Sequence, residues 1–118
     1  MILFISKDLM ILSAAKSHGR QSGVDIQSLS EINAAIEFAS NQTPAIILID
    51  LQTPGFDYVE FANQVADMKT YSGRTIAFAQ HVNTTTLEQA TPLFDEIMTR
   101  GQFNKNLGTI ISGVATNQ

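Results

Sequence analysis

Few side chains in this chain of 118 residues can do chemistry, and most of them fall in four short clusters. Asp50 closes the apolar run Ala45-Ile46-Ile47-Leu48-Ile49. Ser6, Lys7 and Asp8 follow the run Ile2–Ile5, Gln80 and His81 follow Thr75–Ala79, and Arg100 follows Glu96–Thr99. A carboxylate at the end of an apolar run must find a partner once it is buried, because an unpaired buried charge costs several kcal/mol. Lys7 and Arg100 are the cations nearest to hand. Other reactive chemistries are excluded. With no cysteine there is no disulfide framework, thiolate metal site or cysteine nucleophile. There is no Gly-x-Ser-x-Gly elbow, no P-loop and no Gly-x-Gly-x-x-Gly turn. The two histidines lie on separate elements and do not make a metal site. His18 reads as a surface residue near a helix end, whereas His81 lies close to the Asp50 cluster, where a role stays open.

The elements that must position these clusters are legible as alternating strands and helices. Ile2–Ile5, Ala45–Ile49 and Thr75–Ala79 are apolar without alternation, as expected of parallel strands covered on both faces. Val24-Asp25-Ile26 alternates and reads as an edge strand, and Glu96-Ile97-Met98-Thr99 as the last strand. Between them, Leu9, Ile11, Leu12 and Ala15 form one helical stripe, started at Asp8 and closed by Gly19. Ile32, Ala35, Ile36 and Ala39 form the next, capped by Ser30 and ended at Gln42-Thr43-Pro44. Phe61, Ala62, Val65 and Met68 mark a third helix stopped near Ser72-Gly73, residues 84–90 a short fourth, and Leu107, Ile110, Ile111 and Val114 a last one. Five alternations predict a single α/β domain over residues 1–118, with an open parallel sheet, helices on both faces and right-handed crossovers. Such sheets carry their functional groups at the carboxyl ends of the strands, where the four clusters fall.

The bulk composition agrees. Hydrophobic residues make up 44% and charged residues 15%, a globular balance. A formal charge of −4 without a basic cluster argues against direct nucleic-acid binding and against coating an anionic membrane. No apolar run approaches the roughly 20 residues needed to span a bilayer. The first residues lack the flank and length of a signal peptide, so a cytoplasmic protein is expected.

The segment Ile46-Ile47-Leu48-Ile49-Asp50-Leu51-Gln52-Thr53-Pro54-Gly55 resembles the third strand and following loop of response-regulator receiver domains. The resemblance extends over essentially the whole chain. It implies a CheY-like, flavodoxin-like sandwich with strand order 2-1-3-4-5 and a place in two-component signalling or a phosphorelay. Asp50 matches the family's phosphoacceptor and Pro54-Gly55 its turn.

At the remaining positions the chain departs from the family. The two acids that hold magnesium in receivers correspond to Ser6 and Lys7, with Asp8 one residue later and read as a helix cap in preference to a ligand. The Thr or Ser that contacts the phosphoryl group corresponds to Ala79, the Lys-Pro pair to Arg100-Gly101, and the aromatic switch residue to Ile97. Phosphoryl transfer depends on positioning and on neutralising charge on the transferred oxygens, and magnesium needs hard oxygen ligands to help with that. The expectation is therefore a degenerate pseudo-receiver without catalytic residues, metal or cofactor. Lys7 is expected to take the metal's place and pair with Asp50, Arg100 to stand nearby as a second cation, and Tyr58 to pack on the third helix.

What the resemblance implies about function is a phosphorylation-independent signalling module acting through protein–protein contact. Its expected contact face carries Phe94, Ile97, Phe103 and Leu107, and a homodimer is compatible with it; if these residues are buried, they are core. Two alternatives stay open: a true phosphoacceptor using Asp50 with an atypical metal site that includes Asp8, and a flavodoxin-like domain binding a small ligand. Against the latter, Ser6-Lys7-Asp8 lacks the Ser/Thr/Gly-rich phosphate cradle a flavin needs.

Overall fold

The computed structural model describes residues 1–68 and 71–116. Five parallel strands, β1 (Ile2–Ile5), β2 (Ile26–Leu29), β3 (Ile46–Asp50), β4 (Arg74–Ala79) and β5 (Glu96–Thr99), form one sheet in the order β2-β1-β3-β4-β5. The helices α1 (Leu9–Ser22), α2 (Ile32–Gln42), α3 (Tyr58–Asp67), α4 (Thr84–Ala90) and α5 (Arg100–Thr116) follow the strands in turn. The expected architecture and strand order are both present.

Side-chain alternation along the strands divides the core into two layers. Ile2, Phe4, Leu48, Ile76 and Phe78 face α1 and α5, and Leu3, Ile5, Ile47, Ile49, Ala77 and Ala79 face α2, α3 and α4. Because both faces are covered, all of β1 and β3 is buried, which is why those runs show no polar alternation. Phe103 of α5 stacks on Phe78 at 4.0 Å between ring centroids and meets Phe4 edge-on at 5.7 Å, fixing α5 against the strands.

Several helix ends differ from the expectation, each for a local reason. The cap of α2 is Glu31, whose carboxylate accepts the Asn33 and Ala34 amides, rather than Ser30. Those two bonds hold its carboxyl below the ordinary range. Gly19 does not close α1. The helix runs on to Ser22 and ends at Gly23, which supplies the left-handed φ of 69°. Gly19 instead lets α1 approach the sheet edge, since a Cβ there would sit 2.6 Å from the Val24 carbonyl and 2.8 Å from Ile26 Cγ1. Val24 donates its amide to the Gly19 carbonyl and is buried in the core, so strand pairing starts only at Ile26, opposite Ile2. Leu9, assigned to the α1 stripe, is 80% exposed, and Ile11, Leu12 and Ala15 carry the buried face. The third helix ends at Asp67, short of Ser72-Gly73.

Candidate functional site

The carboxyl ends of β1, β3 and β4 and the start of α5 converge on one concavity. Its volume is about 320 Å³, and Lys7, Asp8, Asp50, Gln52, Pro54, Gln80 and Arg100 line it. The sequence clusters around Asp50 are thus brought together. A neighbouring recess of about 380 Å³ is lined by Gln80, His81, Val82, Arg100, Gly101 and Asn104, which places His81 beside the site and not among the residues lining Asp50's concavity.

Asp50 is the last residue of β3, paired with Phe78, and only 5% exposed. Parallel register decides its partner. Ile5 stands opposite Ile49, so one more step sets Ser6 beside Asp50. The Ser6 hydroxyl donates to Asp50 Oδ2 at 2.9 Å, and the Gln52 amide donates to Oδ1 at 3.0 Å. The loop after Asp50 is closed on its own carbonyl, which accepts from Thr53 Oγ1 at 2.7 Å and from the Thr53 amide at 3.1 Å. Among the described residues no buried side-chain nitrogen or oxygen lacks a partner.

The expected Lys7–Asp50 pair is not formed. The period-two alternation that turns Ser6 toward Asp50 turns the next residue away, and Lys7 is exposed, lining the concavity without an ion pair to Asp50. Arg100 lines the same concavity as Asp50, and its guanidinium pairs with Asp8. Asp8 uses its other oxygen to cap α1, accepting the Met10 amide at 3.0 Å and the Ile11 amide at 3.4 Å, and its own amide donates to Ser6 Oγ at 3.0 Å. Partial burial pushes the Asp8 carboxyl up, but the Arg100 bond and charge and the two helix amides outweigh it and hold the group below its ordinary value of 3.8.

Arg100 owes its position to an absent loop. β5 ends at Thr99 and α5 begins at Arg100. The junction is a reciprocal capping box: the Thr99 amide donates to Gln102 Oε1 at 2.9 Å, and the Gln102 amide donates to Thr99 Oγ1 at 3.2 Å. The spacing Thr99-x-x-Gln102 is a legible signal for this start, and the strand before it masks it. A second link had no sequence signal. Gln52 Oε1 accepts the Gln80 amide at 2.8 Å, joining two loops whose residues lie 28 positions apart.

Ala79 ends β4 opposite Thr99 and is fully buried in the layer facing α2, α3 and α4, so it offers the site only backbone. Three of the four residues expected on the contact face are core, and the fourth, Ile97, is partly buried. Phe103 and Leu107 are buried against α1, Phe94 is buried on the opposite layer, and Ile97 packs partly buried beside it. Tyr58 packs into the same layer as Phe61, and its hydroxyl donates to Gln89 Oε1 of α4. His18 is half-buried, and a Cβ on Gly108 of α5 would sit 3.1 Å from its ring, so it belongs to the α1–α5 contact and not to the open surface. The large apolar side chains that are exposed are Leu9 (80%), Met10 (85%) and Val82 (68%), all in segments that follow the carboxyl ends of strands.

The magnesium ion implied by the receiver resemblance would need several hard oxygen donors around Asp50. The donors do not fit it. Ser6 already donates its proton to Asp50, Lys7 is an ammonium, and Asp8 is committed to the α1 amides and Arg100. Among the described residues no group of three or more His, Cys, Asp or Glu could hold a metal ion.

No family model matches the chain, and no curated protein matches it in sequence. Solved structures match it in fold. A member of a family of redox sensors in the streptococci, described as evolved from two-component response regulators, superposes with a TM-score of 0.80 at 14% identity, covering 98% of this chain and 51% of that one. The receiver domain of a sensor histidine kinase from Pseudomonas aeruginosa PAO1, which holds a magnesium ion in its active-site cleft, gives 0.75 at 15% identity, covering 93% and 95%. The chemotaxis response regulator CheY4 of Vibrio cholerae gives 0.71 at 11% identity, covering 96% of each chain. The fold is that of response-regulator receiver domains, the CheY-like form of the flavodoxin-like sandwich.

Proposed function

We propose that this chain is a phosphorylation-independent, non-enzymatic receiver-like module that works by protein–protein contact in a cytoplasmic signalling pathway. The observation that carries this reading is the state of the carboxylates. Asp50 is satisfied by the Ser6 hydroxyl and the Gln52 amide, and Asp8 is taken up by α1 and Arg100. The pocket is thereby set in one arrangement by side chains, where a receiver of the usual kind would use metal and phosphate. The streptococcal redox sensors, described as evolved from response regulators, give a parallel for this fold put to another use. A contact role finds support in the apolar side chains Leu9, Met10 and Val82, which the fold leaves in solvent. Neither nucleic acid nor a membrane surface suits the net charge of −4, and among the described residues no helix is long and apolar enough to cross a membrane.

The rival reading, a phosphoacceptor with an atypical metal site, draws on Asp50 lining an open concavity together with Arg100. A backbone-amide NMR titration with magnesium, then with magnesium and beryllofluoride, separates the two. No localised shift at millimolar magnesium is expected. Shifts centred on Asp50, Ala79 and Arg100 would establish a working phosphorylation pocket and overturn the proposal.

A further inference from the structure

A second cleft, of about 500 Å³, lies between the edge strand β5 and the later half of α5, toward the amino ends of β3 and β4. Asp50 stands at the other end of β3. The apolar lining comes from Ile46 of β3, Met98 of β5, and Ile110 and Val114 of α5. Ile46 and Val114 are buried in the core layer under α5, and Met98 and Ile110 pack partly buried against it. The cleft is therefore an opening into the core, and its size falls within the roughly 300–1,000 Å³ typical of small-molecule sites. Arg74 of β4 is the cation in this lining, and it pairs with Glu96 of β5.

Gly113 helps to keep the cleft open. Of the glycines in α5, Gly101 lies in the first turn, and Gly108 is required by α1, whose His18 ring comes within 3.1 Å of a Cβ built there. Gly113 lines the cleft, and a Cβ there would meet nothing within 4 Å. Packing does not call for glycine at that position, and glycine is a poor helix former. A larger side chain would take up the free space. The polar side of the cleft is equally specific. Among the described residues the Arg74 guanidinium makes one side-chain bond, from Nη2 to Glu96 Oε1. Because Nη2 carries two protons, a two-pronged edge of the planar group stays free, the arrangement a carboxylate fits. The Glu96 pair is about half exposed and so contributes little to holding Arg74 in place.

We propose that this cleft binds a small carboxylic acid with an apolar body, the carboxylate on the free edge of Arg74 and the body along Ile46, Met98 and Ile110 beside Gly113. The flexible thioether of Met98 adapts to bodies of differing shape. The site lies away from the Asp50 concavity and shares no lining residue with it, so it stands whether or not Asp50 accepts a phosphoryl group.

A backbone-amide NMR titration with octanoate, kept below its micelle concentration, tests it. Saturable shifts confined to the amides around Ile46, Met98, Ile110 and Gly113 are expected, with those of Asp50 and Gln52 unmoved. Octanol, the same chain with an uncharged head, should bind about tenfold more weakly, and so should octanoate to Arg74→Gln, the effect of losing a charge-assisted hydrogen bond. Gly113→Leu should fill the cleft and lose saturable binding while its Tm stays at or above that of the parent. The octanol comparison uses the parent chain alone, so it decides the matter even if a variant folds poorly. Absence of saturable shifts, shifts spread over the whole sheet, octanol binding as tightly as octanoate, or unchanged octanoate affinity in either folded variant would overturn the proposal.

Discussion

Replacing Ser6 by Ala removes the hydroxyl on which the Asp50 pocket depends. Ser6 is 3% exposed and Asp50 5% exposed, so bulk water does not stand ready to replace the bond. The variant loses a 2.9 Å bond to the carboxylate and the acceptor for the Asp8 amide at 3.0 Å. Hydrogen bonds to charged groups contribute about 1.5–3 kcal/mol and neutral ones about 0.5–1.5. Asp50 keeps the Gln52 amide on its other oxygen, and the Asp8 amide is only part-buried, which places the expected loss at about 2–3 kcal/mol. For a domain of this size that is a fall of about 8–12 °C in Tm, at about 4 °C per kcal/mol. Urea unfolding at pH 7 gives the number directly. The midpoint should drop with the slope unchanged, since the surface exposed on unfolding is the same. Lys7→Ala is the matched control and should stay within about 0.5 kcal/mol, as an exposed side chain without a partner should. A Ser6→Ala loss below about 0.5 kcal/mol, or a larger loss for Lys7→Ala, would refute the reasoning and return the role of counter-group to the lysine.

Further expectations concern the rest of the pocket and the frame that holds it. Ser6→Asp sets a second carboxylate beside Asp50, so the metal-free protein should lose stability and millimolar magnesium should restore it; a Tm indifferent to magnesium would show that the pocket lacks room or geometry for the ion. Arg100→Gln should cost no more than about 1 kcal/mol at pH 7, because the Asp8 pair is about a third exposed. The sign of its pH dependence is fixed. The Asp8 carboxyl is depressed by Arg100, so the contribution is present above the ordinary value of 3.8 and disappears as pH falls through the lower folded value. Acid titrations of parent and variant stability should therefore converge below 3.8, and parallel curves would sink the assignment. Gly19→Ala should destabilise by about 1–3 kcal/mol despite alanine's helix propensity, because its Cβ meets backbone, whereas Gly113→Ala, with open space around it, should stabilise by about 0.5–1 kcal/mol; thermal melts of the two variants read both signs.

Much of the frame was legible without the structure, and the reason lies in the range of the signals. The runs Ile2–Ile5 and Glu96–Thr99 and the short helix 84–90 are bounded as expected, because a doubly covered strand and a helical stripe are written in adjacent residues. Asp50 stood out for the same reason, a lone acid at the end of five apolar residues. Helix ends were less legible. Ser30 and Glu31 are both able to cap, and Gly19 and Gly23 are both able to stop a helix; the chain's path into β2 chose between them.

Which partner each charged group takes was decided only by tertiary structure. Composition and local pattern placed Lys7, Asp8, Asp50 and Arg100 near one another, but the β1–β3 register put Ser6 beside Asp50 and turned Lys7 outward. The capping box that starts α5 directly after β5 brought Arg100 to Asp8. Phe103, Leu107 and Phe94 carry no sequence mark that separates core from interface, and the seating of α5 on Phe4 and Phe78 made Phe103 core. The Gln52–Gln80 bond depends on two loops meeting across neighbouring strands. A sequence states which residues are apolar and how they repeat, and so determines the layers. Hydrogen bonds between distant side chains act over about 3 Å, and only the assembled sheet fixes positions that finely.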